Sequence, residues 1–245
     1  MVIAERNGMM VEKSILPPDA RWVEYLQSTG TQWIDTGVAV KDNIAIEYDF
    51  TPLQRTSGLF YCGCWGNTNT QGRAYLYISG VNTLQYGFGI ADAGMYENLP
   101  NNISLDRKLY RLDKSGLWIN GIRATTMQFS SMAQNTLRFY LMRCNDINNR
   151  GANSSKLFGS KIYENGTTIR DFRPIAIGNT GYMMDILTGD YLQYGNKGTG
   201  SFIIGPDISA PAIGGGGNLL DDYLELIQIG FSEDDDVTFY YKEVA

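Results

Sequence analysis

The chain has 245 residues, 43% hydrophobic and 12% aromatic, enough for a sizeable core and too apolar for low-complexity disorder. Its 20 Lys+Arg against 26 Asp+Glu give a formal charge of −6, and no run of four basic residues supplies a stripe for nucleic-acid phosphates. Histidine is absent. That removes the commonest general base near neutral pH, the commonest transition-metal ligand and any nucleophilic triad built on imidazole.

Residues 1–20 read as an N-terminal arm ending in Pro17-Pro18. Neither the arm nor any later stretch is apolar for long enough to act as an export signal or to span a bilayer. The expectation is a chain outside the standard export route, without membrane insertion. From Arg21 to Asp207 strand signals recur at 43–51, 58–65, 73–79, 83–90, 108–113, 116–120, 136–143, 157–164 and 167–172. Turn material separates them at Asn67-Thr68-Asn69, Ser79-Gly80, Asn101-Asn102 and the polar stretch Asn145 to Asn153. Two Asn-Gly pairs, Asn120-Gly121 and Asn165-Gly166, sit between alternating apolar runs. A two-residue hairpin needs positive φ at both central residues, and Asn-Gly meets that demand at least steric cost. Regular short strands with polar turns predict an all-β, antiparallel sandwich or barrel.

Past the body, 208–217 is a Gly-rich linker by composition, with Gly214 to Gly217 in one run. Residues 218–245 hold two strand-like pieces around Glu233-Asp234-Asp235-Asp236. Two β segments alone are marginal in water, so this tail is expected to dock on the body or on another subunit.

Cys62 and Cys64 stand two apart on a strand, on one face and poorly placed to bridge each other. With Cys144 they read as reduced, buried thiols, and as a zinc site they lack a fourth ligand. Glu47 and Asp49 share a strand face, as paired hydrolase carboxylates do. Ile46, Tyr48 and Phe50 alternate with them, however, which marks that face as the solvent side. Sugar recognition uses aromatic faces and planar amides, which makes Trp65, Asn67, Asn69, Tyr75, Tyr77, Tyr86, Asn145 and Asp146 the candidate carbohydrate-binding residues, with Tyr96 nearby. Asp146 with Asn145 and Asn148 offers calcium oxygens but few charges, so no metal or other cofactor is expected.

Trp22-Val-Glu-Tyr-Leu-Gln-Ser-Thr-Gly-Thr-Gln-Trp-Ile-Asp-Thr-Gly37 resembles the opening of a concanavalin A-like, laminin G-like jelly roll of gut bacterial and phage proteins. Ile46-Glu-Tyr-Asp-Phe-Thr-Pro52, Leu117-Trp-Ile-Asn-Gly121 and Phe158-Gly-Ser-Lys-Ile-Tyr-Glu-Asn-Gly166 are similar to its core strands and hairpins. Arg170-Asp-Phe-Arg-Pro174, Met184-Asp-Ile-Leu-Thr-Gly-Asp-Tyr191 and Gly198-Thr-Gly-Ser-Phe202 resemble its close. The resemblance implies a two-sheet sandwich over 21–207, often glycan-binding, without fixing function. The expectation is a non-catalytic phage virion component, capsid-decorating or tail-associated. It would adhere to surfaces or host glycans, form a homo-oligomer, and contact other virion or surface-assembly subunits. The alternatives are a bacterial carbohydrate-binding module at the cell surface and, further off, a glycoside hydrolase of this fold.

Overall fold

The computed structural model describes residues 2–6, 9–13, 16–66, 72–80, 82–90, 96–100, 104–125, 136–146, 153–209 and 237–239. Asp19–Asp207 makes one compact unit, and Met1–Pro18 with Ile208–Ala245 makes another. In the latter, β1 (Val2–Arg6) and β2 (Met9–Lys13) pair antiparallel as a hairpin. The larger unit opens with three short strands that alternation alone does not mark: β3 (Ala20–Trp22), β4 (Leu26–Thr29) and β5 (Ile34–Ala39). There follow β6 (Ile44–Pro52), β7 (Phe60–Trp65), β8 (Gly72–Gly80), β9 (Thr83–Ile90) and β10 (Tyr96–Pro100). Next come β11 (Lys108–Asp113), β12 (Gly116–Ile119), β13 (Ile122–Arg123), β14 (Arg138–Leu141) and β15 (Cys144–Asp146). The unit ends with β16 (Ser154–Glu164), β17 (Thr167–Ile177), β18 (Thr180–Asp185), a 3-10 turn at Leu192–Tyr194 and β19 (Ile203–Ile204). Finally β20 (Val237–Phe239) lies antiparallel to β1 in the smaller unit.

The strands of the larger unit form two sheets. One runs β10-β9-β8-β7-β14-β5, with β15 also on β7. The other runs β13-β12-β11-β6-β16-β17-β18, joined by β3 on β17, β4 on β16 and β19 on β4. Every pairing is antiparallel except the short β15 against β7. The fold is an all-β, antiparallel two-sheet sandwich. We call the sheets the seven-stranded and the ten-stranded sheet.

Alternation builds the core. Ile46, Tyr48 and Phe50 of β6 point inward and are fully buried, while Glu47 and Asp49 face out. From the facing sheet, Ala74, Leu76 and Ile78 of β8 and Leu84, Tyr86 and Phe88 of β9 enter the same cluster. Each large side chain so buried contributes about 1.5–3 kcal/mol before entropy. In β7 a bulge between Phe60 and Cys62 breaks the expected period, so that Tyr61 and Cys62 both join the core. The Tyr48 hydroxyl donates to the Tyr61 carbonyl at 3.0 Å and accepts the Met142 N–H at 3.2 Å, tying the two sheets together.

Both Asn-Gly hairpins form as the turn chemistry requires, with φ of 51° and 79° at Asn120-Gly121 and 51° and 82° at Asn165-Gly166. Other expectations need correction. Ser79-Gly80 lies inside β8, which stays paired out to Gly80 opposite Thr83. The polar stretch expected as one loop begins as β15, where Asn145 and Asp146 pair with Cys64 and Trp65, and it stops directly before β16. The first residues form a hairpin, and the tail's Val237–Phe239 completes a three-stranded sheet with it. The linker from residue 210 onward and the strand expected near Tyr223 lie outside the described residues.

Candidate functional site

The segment between β4 and β5 is organised by one buried glutamine. The Gln32 side chain is 3% exposed. Its oxygen accepts the Thr29 N–H at 2.8 Å and the Ser28 and Thr29 hydroxyls at 3.2 Å each. Its amide donates to the Thr199 carbonyl and the Thr31 hydroxyl, both at 2.9 Å. A buried amide with its oxygen and nitrogen both engaged is stabilising, whereas a half-satisfied one is not. Backbone bonds complete the clasp, Lys197 N–H to the Trp33 carbonyl at 2.9 Å and Thr199 N–H to the Thr31 carbonyl at 3.2 Å. The Asn196 side chain accepts from the Trp33 and Gly198 N–H groups and donates to the Gly200 carbonyl. Much of the motif that resembles the opening of a jelly roll is therefore the scaffold of one loop pair.

That loop pair lines an open cleft of about 400 Å³ with Gly30, Thr31, Trp33, Arg143, Lys197, Gly198 and Thr199. Trp33 is half-buried and stacks on Tyr140, with ring centres 4.3 Å apart and planes at 26°. The Arg143 guanidinium carbon lies 5.5 Å from the Trp33 ring centre, within cation–π reach. Burial raises the Tyr140 phenol above its ordinary range, and Asp35 adds to the shift. A smaller hollow of about 220 Å³ at Asp42, Arg111 and Lys114 is internally neutralised, with Lys114 3.8 Å from Asp42 and Arg111 3.7 Å from Asp113.

Tyr140 also belongs to a row across the outer face of the seven-stranded sheet. Register places Tyr140, Gly63, Tyr75, Gly87 and Tyr96 side by side on successive strands. Residues paired in register point to the same face. Tyr75 lies over Gly87, where a Cβ would overlap its ring. The Trp65 ring covers Tyr75 at 4.7 Å, and the Arg73 guanidinium sits 4.1 Å from the Trp65 ring centre. Phe60 fills the flank, 4.6 Å from Tyr77.

Of the residues expected to bind carbohydrate, Trp65, Tyr75 and Tyr77 are brought together on this face, with Asn145 and Asp146 on the adjoining β15. Tyr75 is only 1% exposed, and its hydroxyl donates to the Gln85 side chain at 3.1 Å, so it supports Trp65 from beneath. Tyr86 needs correction. It points into the core, fully buried, with its hydroxyl donating to the Asp113 carbonyl, and has no surface for a sugar. Asn67, Asn69 and Asn148 lie outside the described residues. Sequence reasoning missed Trp33, Tyr140, Arg143 and Lys197. The signal for Trp33 stood inside the resemblance motif but was used there only as a mark of the fold.

Glu47 and Asp49 lie on the outer face of the ten-stranded sheet, away from both aromatic stacks. Asp49 takes a two-pronged bond from Arg107 at 2.9 and 2.8 Å. Glu47 is held by Arg111 at 3.2 Å and by the Tyr163 hydroxyl at 2.8 Å. All three cysteines are buried free thiols, Cys62 and Cys64 in the main core and Cys144 beneath the outer aromatic face. Burial pushes the Cys62 thiol well above its ordinary range. Among the described residues no three His, Cys, Asp or Glu side chains gather as a metal-ion cluster, and no helix is long and apolar enough to cross a membrane.

No protein-family profile and no curated protein matches the chain. Among solved structures it is similar to the native heptameric SAP-like pentraxin from Limulus polyphemus. The identity is 11% and the TM-score 0.41, covering 79% of this chain and 97% of that one.

Proposed function

We propose that this protein is a non-catalytic carbohydrate-binding sandwich, serving as an adhesive subunit of a larger assembly. The observation that carries the reading is the pair of tryptophans on one sheet face. Trp33 lies on Tyr140 in an open cleft, and Trp65 lies on Tyr75, the two tyrosines being ~10 Å apart across Gly63. Aromatic faces at such a spacing receive the apolar faces of sugar rings, while hydroxyls and peptide groups at Thr31, Gly198 and Thr199 meet their polar edges. The absence of catalysis is supported by the absence of histidine and by the Arg and Tyr bonds that tie up Glu47 and Asp49. A glycan array with the full chain tests the reading. Trp33→Ala and Trp65→Ala should each weaken retained glycans by about tenfold, or about 1.4 kcal/mol. An array without signal, or signal indifferent to both tryptophans, would sink it.

The finer assignment is a homo-oligomeric phage virion protein, capsid-decorating or tail-associated, assembled in the host cytoplasm, with a cell-surface carbohydrate-binding module as the alternative. It rests on the resemblance read from the sequence and on flanks that lie outside the sandwich. Mass spectrometry of purified virions, with light scattering of the isolated chain, checks both parts.

A further inference from the structure

The cleft at Trp33 contains two cations for which the described residues supply no counter-charge. Arg107, Arg111, Arg138, Arg170 and Arg173 each lie within ion-pair distance of a carboxylate. Arg143 and Lys197, like Lys41, Arg55, Lys108, Arg123 and Lys156, have no carboxylate within ion-pair distance among the described residues. What sets Arg143 and Lys197 apart, in a chain of net charge −6, is that they share one cleft with an aromatic ring.

Their placement is fixed by backbone rather than by chance contact. Lys197 N–H bonds to the Trp33 carbonyl at 2.9 Å, which holds the two backbones together at the cleft wall. Arg143 leaves β14 three residues after Tyr140, on which Trp33 stacks, and its guanidinium lies 5.5 Å from the Trp33 ring centre. An arginine fork matches the two oxygens of a carboxylate or sulfate, and a lysine adds a mobile point charge.

We infer that this cleft binds an acidic saccharide, a short glycan whose carboxylate or sulfate groups meet Arg143 and Lys197 while a sugar ring rests on Trp33. The inference rests on the carbohydrate-binding reading and narrows its ligand class. A densely charged polyanion is a poor fit, because the acidic molecule as a whole repels it. A sugar acid with one charge per residue matches two cations in a cleft of about 400 Å³.

Titration of Trp fluorescence in the full chain tests this with four probes: trigalacturonate, its carboxyl-reduced trisaccharide, a sulfated chondroitin tetrasaccharide and its desulfated counterpart. Inorganic sulfate serves as a fifth. Trigalacturonate or the sulfated tetrasaccharide should bind at least tenfold tighter than its neutral or desulfated counterpart, and which one does so tells carboxylate from sulfate. Arg143→Gln and Lys197→Gln should each cost about tenfold for the acidic sugar and much less for the neutral one. Among the described residues neither side chain has a carboxylate partner, so unchanged thermal melts of the two variants are expected and separate lost binding from lost fold. Equal affinity for an acidic sugar and its neutral counterpart overturns the acidic-ligand inference while sparing the carbohydrate reading. Sulfate alone binding as tightly as the sugars shows an anion hole and overturns the saccharide part. No binding by any probe, together with a silent glycan array, overturns both.

Discussion

Asp185 shows how much one side chain can organise. Its carboxylate is fully buried at the end of β18. One oxygen accepts the N–H groups of Asp171 at 3.1 Å and Leu187 at 3.2 Å. The other takes the Thr188 hydroxyl at 3.1 Å and lies 3.5 Å from the Arg170 guanidinium. Removing the carboxylate strands two backbone donors and one guanidinium at once. Asp185→Ala is therefore expected to cost about 3–5 kcal/mol in urea denaturation, and Thr188→Val only about 1 kcal/mol. The thiols give a second check at this scale. Cys62, Cys64 and Cys144 should react with a thiol reagent together, at the rate of unfolding, because none is reachable in the folded chain. Tyr86 is instructive about what the sequence allowed. Leu84, Tyr86 and Phe88 alternate with Gln85, Gly87 and Gly89, so its inward direction was legible, and grouping it with sugar-facing tyrosines ignored that parity. Trp33 and Arg143 were harder to find, because their meeting depends on β5 and β14 pairing across a hundred residues of chain.

Among elements, the hairpins and the longer strands were readable because their signals are local. An Asn-Gly pair sets its own turn, and β9 and β11 lie where alternation placed them. The short strands β3, β4 and β5 were not, since Ser28, Gly30 and Gln32 interrupt any apolar period; Ser28 and Gly30 are ordered by bonds within the loop, and Gln32 ties that loop to the Thr199 carbonyl. The bulge in β7 is equally non-local, as it exists only against β8. Gly63 and Gly121 separate two costs of the same substitution. Both have positive φ, 144° and 79°. A Cβ at Gly121 meets nothing within 4 Å, whereas at Gly63 it would fall 2.5 Å from the Ala74 carbonyl oxygen and 2.6 Å from the Tyr75 Cβ. Gly121→Ala should cost about 1–2 kcal/mol of backbone strain alone. Gly63→Ala should cost at least ~1–3 kcal/mol more, by forcing β7 and β8 apart. Comparing their urea midpoints decides this, and Gly63→Ala should also disturb the Trp65 emission.

The whole molecule carries its pH response in phenols rather than imidazoles. Burial holds Tyr48, Tyr61, Tyr86 and Tyr110 above the ordinary phenol range, with the Asp113 carboxylate adding to it at Tyr86. A phenol whose folded value exceeds its unfolded value of ~10 favours the folded state fully below that pH. As pH rises beyond about 10 the unfolded chain holds fewer protons, and stability falls. Cooperative alkaline unfolding is expected, with the phenolate absorbance of the buried tyrosines appearing only at that transition. Their gradual titration before loss of β-sheet dichroism would contradict it. At this scale too, the ends of the sandwich meet, Arg21 pairing with Asp207 at 2.7 Å. Every residue of the main core cluster lies between them. Residues 19–207 expressed alone should therefore melt cooperatively and keep the cleft.

The Gln32 clasp also sets a clock. Its amide bonds to Thr199, 167 positions further along the chain. A ribosome adds on the order of 5–20 residues per second, so the first loop waits roughly ten to thirty seconds for the partner that gives it shape. Throughout that interval Gln32, Trp33 and the edge of β5 exist without their cleft. A chain halted before residue 199 never acquires it, so the cleft belongs only to a chain whose last strands have been made.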